Sequence, residues 1–156
     1  MLASGIGGRI QIFDFCNRRF YTSSMAKDTI HDAVKHALIK DGWTITHDPY
    51  RIEYAEISVS ADLGAERTIA AERDTKKIVV EIKSFIGRSA VQDLKLALGQ
   101  YLLYRGLLEV TEPERMLYLA VDLRAYAEVF DQKAAQMLAQ RYELPFLLSM
   151  SRMRRL

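Results

Sequence analysis

Three charged side chains in the middle of the chain have the types and spacing of a hydrolytic site: Asp62, Glu81 and Lys83. Glu81-Ile-Lys83 sits in the most apolar, β-branched run of the sequence, KIVVEIKSF (77–85), which reads as a strand. Strand side chains alternate, so Glu81 and Lys83 point to one face, roughly 6–7 Å apart along the backbone. If Asp62 converges there, two carboxylates and an ammonium share one small site. Such a trio suits phosphodiester hydrolysis. Mg²⁺, with Mn²⁺ as substitute, is a hard ion that prefers carboxylate oxygens and keeps several waters, and Asp62 and Glu81 are its expected ligands. The ion polarises a phosphoryl oxygen and acidifies a water. Lys83 is placed to orient that water or to offset the charge that builds on phosphorus. It also relieves the mutual repulsion of two neighbouring carboxylates.

More polar groups follow on the next predicted helix. Asp93, Ala97, Gln100 and Tyr104 are separated by four, three and four residues and so form one stripe. Gln100 on such a stripe can touch a phosphate, a base or an ion-held water, and Tyr104 is its half-buried neighbour. Taken alone, an E-x-K on a strand is also what a solvated, salt-bridged sheet edge looks like. The three histidines show no metal-cluster spacing. His31 alone is a candidate accessory, on the first helix, and His36 and His47 receive no role.

The elements that must position these residues can be read from periodicity. Asp28 or Thr29 can cap a first helix that runs to about Asp41, with Ile30, Val34, Ala37 and Leu38 on one face, and Gly42 stops it. WTITHD (43–48) reads as a short strand ended by Pro49, and residues 50–61 fit no period. ERTIAAER (66–73) and 77–85 read as a hairpin at the sheet's centre. Ser89-Ala-Val-Gln92 has the capping-box pattern and opens a helix to about Leu108, its apolar side expected at Val91, Leu94, Leu98, Tyr101 and Leu102. MLYLAV (116–121) is a buried strand. A third helix is expected from about Arg124 to Arg141, with Tyr126, Phe130, Met137 and Leu138 inward, and PFLLSM (145–150) as a last strand. The order is helix, three strands, helix, strand, helix, with a terminal strand after it. It predicts an α/β fold with one central mixed β-sheet flanked by helices.

The bulk properties set limits around that picture. A chain of 156 residues, 49% hydrophobic and 27% charged, is of single-domain size and ordinary globular composition. A net charge of +2 does not mark a DNA-coating protein, though a local basic patch with a metal ion works at this balance. The single cysteine, Cys16, excludes an internal disulfide and points to a reducing cytoplasm. No run is long and apolar enough for a membrane span. Residues 1–24 lack an uninterrupted apolar h-region and are expected to lie outside the fold, with Met25 as a plausible start and 25–156 as one domain.

Asp62, Glu81-Ile-Lys83 and Gln100-x-x-x-Tyr104, in this order, resemble the PD-(D/E)XK nuclease superfamily, including the Q-x-x-x-Y motif of its RecB-like branch. MAKDTIHDAVKHALIKDGWTITHDPY (25–50), ADLGAERTIAAERD (61–74) and VVEIKSFIGRSAVQDLKLALGQYLLYR (79–105) are more specifically similar to the XisH family, the fdxN-element excision controlling factors. The likeness spans about residues 25–142. It implies a restriction-endonuclease-like core, a part in programmed excision of a DNA element in cyanobacteria, and an XisI-type companion protein. Two departures stand out. The first helix offers His31 and Asp32 where many superfamily members have a glutamate, and Ala61 replaces the proline before Asp62. The leading functional expectation is a metal-dependent DNA endonuclease or a DNA-handling factor on that fold. The rival is a non-catalytic subunit that binds the companion and assists a separate recombinase. A junction resolvase would in addition need a homodimer.

Overall fold

A computed structural model of the chain describes residues 10–13, 26–69, 74–85 and 89–149. Its centre is a six-stranded mixed sheet in the order β1-β8-β7-β6-β5-β2. The strands are β1 (Ile10–Phe13), β2 (Thr44–His47), β5 (Leu63–Ile69), β6 (Asp74–Lys83), β7 (Arg115–Asp122) and β8 (Phe146–Ser149). From β1 to β6 the neighbours run parallel, and β5 and β2 close the other side antiparallel. β3 (Tyr50–Tyr54) and β4 (Ile57–Ala61) form a separate two-stranded hairpin. No helix among the described residues is long and apolar enough to cross a membrane.

The helices cover both faces, as a sheet with buried sides requires. α1 (Ala26–Lys40) lays Val34 and Leu38 on Val80, Ile82, Tyr118, Ala120 and Leu147. α2 (Ala90–Thr111), α3 (Leu123–Phe130) and α4 (Lys133–Arg141) cover the other face, where Val79, Leu117, Leu119, Val121, Phe146 and Leu148 point. This is the strand alternation expected for β6, with odd residues on the α2 side. The mixed α/β architecture read from the periodicities is therefore the observed one.

Local differences have identifiable causes. Ile10–Phe13 was expected outside the fold, but it pairs with the edge of β8, where an apolar, β-branched segment satisfies open backbone groups. The rest of the expected extension, Cys16 included, lies outside the described residues. α1 begins at Ala26, ahead of both expected caps. The aperiodic stretch 50–61 is the β3–β4 hairpin, unreadable because only Tyr50, Ile52 and Ala61 are buried while Tyr54 and Ile57 face solvent. The expected third helix breaks into α3 and α4 at Asp131–Gln132, with Gln132 in extended conformation capping α4. Met137 is exposed rather than inward.

The apolar side of α2 is also rotated from its expected position. Ala97, Tyr101, Tyr104, Leu107 and Leu108 are buried, whereas Val91 and Leu102 are exposed. Ser89 caps the helix as predicted, its hydroxyl accepting the Gln92 N–H at 3.3 Å. The hairpin is fastened to the end of α2 through Tyr50, whose hydroxyl donates to Glu112. Glu112 in turn binds Arg115 at 2.6 Å, and Arg115 stacks over the Tyr50 ring and reaches Glu66 at 3.0 Å.

Candidate functional site

β6 is the third strand from the β2 edge, paired antiparallel with β5 and parallel with β7. Its last turn of the pleat carries the site. The final β5–β6 pair is Leu63 opposite Val80, so Asp62, one step further, comes level with Glu81. Asp62 occupies the bend between β4 and β5, and its Oδ2 accepts the backbone N–H of Ile82 at 2.7 Å. A side chain thus continues the ladder where the β5 backbone has turned away. Glu81 is buried, and its Oε1 lies 3.1 Å from the Lys83 ammonium. Lys83 also donates to the Gln100 side-chain carbonyl from α2. Asp62, Glu81, Lys83 and Gln100 come together at the end of β6.

Tyr104, one turn beyond Gln100, donates its hydroxyl to the Ser60 carbonyl at 3.1 Å. It thereby ties α2 to the end of β4, two residues before Asp62. Its role in the geometry is to hold the approach to the bend. Ser60 and the Ile82 amide are site components that no residue-type reasoning identifies, because both contribute only backbone atoms.

The electrostatics follow from burying two acids side by side. Burial, and then the charge of Asp62, push the Glu81 carboxyl up to about 7, against the pull of Lys83. Burial and the charges of Glu81 and Asp62 raise the Tyr104 phenol, opposed by Gln100, so Tyr104 stands in the field of both acids. Glu81 Oε2 is buried without a hydrogen-bond partner. An orphaned carboxylate oxygen beside a second carboxylate is a donor set that fits a hard divalent ion. Among the described residues no group of three or more His, Cys, Asp or Glu side chains gathers as a metal site. Mg²⁺ needs only one or two carboxylates when phosphate oxygens and waters complete its shell.

The other candidates go elsewhere. His31 Nε2 bonds Asp48 at 2.9 Å, and Lys35 holds the second Asp48 oxygen at 2.7 Å. This cluster of α1 and the turn before β3 holds Asp48 below the usual carboxylate range, chiefly through the Lys35 hydrogen bond. His31 is engaged there rather than with Asp62 or Glu81. Asp93 lies in the first turn of α2, on the stripe of Ala97, Gln100 and Tyr104.

A sequence model of one family, described as XisH protein, matches residues 24–154. A crystal structure of an XisH family protein from Nostoc punctiforme PCC 73102 is 39% identical, with 79% of this chain and 91% of that chain covered and a TM-score of 0.71. A crystal structure of an fdxN element excision controlling factor protein from Anabaena variabilis is 38% identical, covering 80% of this chain and 92% of that one, again with a TM-score of 0.71. No curated protein matches the chain.

Proposed function

The chain belongs to the XisH family, and from that premise we propose that it is a metal-dependent DNA endonuclease, or a nuclease-like DNA-handling factor, acting in programmed excision of a DNA element. The excision role is carried over from the Anabaena variabilis relative, which is named for it. The catalytic role rests on one observation: the Asp62, Glu81, Lys83 and Gln100 side chains meet at the end of β6, with one Glu81 oxygen buried and unpaired. A pure scaffold gains nothing from two adjacent acids held by a buried strand. On this reading the sheet is a restriction-endonuclease-like core of the PD-(D/E)XK type.

Hydrolysis adds the oxygen of water to phosphorus, breaks a P–O bond and leaves the proton on the departing oxygen. Asp62 and Glu81 would hold Mg²⁺, or Mn²⁺ in its place, which supplies positive charge against the phosphoryl oxygens. Asp62 arrives with its orientation already set by the Ile82 amide. Glu81 must give up its proton to take part, which its raised pKa permits near neutrality. Lys83, aimed by Gln100, offsets the negative charge that grows on phosphorus or orients the attacking water. Tyr104 keeps β4 seated, so that the bend at Asp62 stays in register with β6.

The test is cleavage of branched and linear DNA in Mg²⁺ and Mn²⁺, with and without an XisI-type companion. Wild type should cut at least one of these substrates, and Asp62→Ala and Glu81→Ala should not. Wild-type protein that cuts nothing, yet binds the companion tightly, would establish the rival interaction-subunit reading.

A further inference from the structure

Asp62 reaches the Ile82 amide from a bend, and the backbone on both sides of that bend rests on Tyr50. Ala61, just before Asp62, is the strand partner of Tyr50 at the end of the β3–β4 ladder. Gly64, two residues after Asp62, lies so close to the Tyr50 ring that an added Cβ would come within 2.5 Å of it. Tyr50 is only 3% exposed, yet its hydroxyl finds an acceptor in Glu112. Arg115 covers the ring, its guanidinium 4.8 Å from the centre, and holds the Glu112 carboxylate at 2.6 Å. The ring is therefore fixed at its tip and on its face. A phenylalanine fills the same volume between Gly64 and Arg115, so packing alone does not require the hydroxyl. Burying a hydroxyl is costly unless it is hydrogen-bonded, which makes its one bond the feature to explain.

The acceptor of that bond belongs to the helix that also aims Lys83. Gln100, Tyr104, Leu108 and Glu112 advance by four residues, so they share one stripe of α2 and its C-cap. Down that stripe Gln100 accepts from Lys83, Tyr104 donates to the Ser60 carbonyl, and Glu112 accepts from Tyr50. About 18 Å of one helix thus carries the references for both sides of the site. The Ser60 bond seats β4 alone. The Glu112 bond seats β3 and, through Ala61 and Gly64, both shoulders of the bend.

We propose that Tyr50 is a positioning residue for Asp62: its bond to Glu112 holds the bend so that the Asp62 carboxylate stays on the Ile82 amide, beside Glu81. The consequence for a bound ion rests on the reading of Asp62 and Glu81 as ligands, whereas the consequence for Asp62 itself does not. The Ile82 amide proton reports the contact directly, because a hydrogen bond to a carboxylate is a strong one and moves its resonance downfield. Asp62→Ala identifies that signature by removing it. Tyr50→Phe keeps the ring and the strand pairing, and Glu112 keeps Arg115, so circular dichroism should show the fold intact. Its Ile82 resonance should move towards the position seen in Asp62→Ala and its Ile82 amide should exchange faster, while Val80 on the same strand stays as in wild type. Glu112→Ala should reproduce this change, and Glu112→Gln, which retains an acceptor, should not. Mn²⁺ should bind Tyr50→Phe about tenfold or more weakly than wild type, the scale of releasing a group that orients a metal ligand. An Ile82 amide untouched by Tyr50→Phe or by Glu112→Ala would overturn the proposal. So would an Ile82 change no larger than that of Val80 and the rest of the sheet, which would make Tyr50 a structural residue only. Because the amide is read without ion or DNA, a wild type that binds no Mn²⁺ would overturn the ion site while the amide still decides the role of Tyr50.

Discussion

The Asp62 carboxylate accepts the Ile82 backbone N–H at 2.7 Å, between Glu81 and Lys83 on β6. One side chain therefore holds the strand and faces the candidate ion site together. Asp62→Ala strips a part-buried N–H of its partner, which costs about 1–3 kcal/mol of folding stability. Asp62→Asn keeps an acceptor and should retain most of that stability while losing divalent-ion affinity. Urea unfolding of the two variants beside wild type checks this; equal stability of Ala and Asn would show that the hydrogen bond contributes nothing.

Removing the Asp62 charge has a second consequence, one residue away. Glu81 is raised first by burial and then by Asp62, so in Asp62→Asn its pKa should fall but stay above the ordinary carboxylate range. Carboxyl ¹³C shifts followed against pH report it directly. A Glu81 titration unchanged by the substitution would mean that the two acids do not sense each other.

Glu81 also predicts how stability depends on pH when no divalent ion is present. Its folded pKa, about 7, stands above the ordinary value of 4.5, so the folded state holds the proton more tightly than the unfolded chain. Its contribution is complete below that ordinary value and is lost as pH rises through about 7. Each pH unit in that window removes up to about 1.4 kcal/mol. Glu81→Gln should flatten this slope and be the more stable protein above neutrality. Mn²⁺, which displaces the proton, should bind wild type more tightly at about pH 8 than at about pH 6. Thermal unfolding in chelator across the range decides the first point and calorimetric titration the second.

Gly64 follows Asp62 by two residues and lies against the hairpin. An added Cβ would come within 2.5 Å of the Tyr50 ring. That ring is itself fixed by the Glu112 hydrogen bond and the Arg115 guanidinium 4.8 Å from its centre, so it has little room to retreat. Gly64→Ala should cost about 1–3 kcal/mol, in the range of core overpacking. A melting temperature within a degree of wild type would show that the hairpin yields.

The site was legible because its side chains obey short-range rules. Strand alternation put Glu81 and Lys83 on one face, and helical spacing put Gln100 and Tyr104 on one stripe. Asp62 came from the family resemblance, since nothing local aims a bend residue at a strand twenty residues away. The resemblance also suggested His31, which instead bonds Asp48, whose other oxygen Lys35 holds, a pairing set by the turn before β3. The rotation of α2 was misread because its exterior is nearly as apolar as its interior. Leu96, Leu103 and Val110 interrupt the polar face that Gln92, Lys95, Arg105 and Glu109 would otherwise mark. The β3–β4 hairpin was missed for the opposite reason, its exposed Tyr54 and Ile57 blurring the alternation.

The remaining prediction separates the roles of the acids and the lysine. Lys83 touches Glu81 and Gln100 but is a cation, so it cannot be an ion ligand while charged. If the site cleaves DNA, Lys83→Ala should lose more than about a hundredfold in rate, the scale of removing one group that stabilises developing charge. Losing the ammonium also lets the Glu81 pKa rise further, because Lys83 is what holds it down. Mn²⁺ binding by Lys83→Ala should therefore weaken near neutrality and recover at about pH 8 to 9, where Glu81 is again ionised. Cleavage should not recover with it. Glu81→Ala should bind Mn²⁺ poorly at every pH. Gln100→Ala, which only releases the ammonium from its acceptor, should fall between wild type and Lys83→Ala in rate while binding Mn²⁺ normally. Single-turnover cleavage and Mn²⁺ titrations on the same preparations across that pH range distinguish these outcomes. A Lys83→Ala protein that regains cleavage as it regains Mn²⁺ would reduce Lys83 to a partner of Glu81 and remove it from the chemistry.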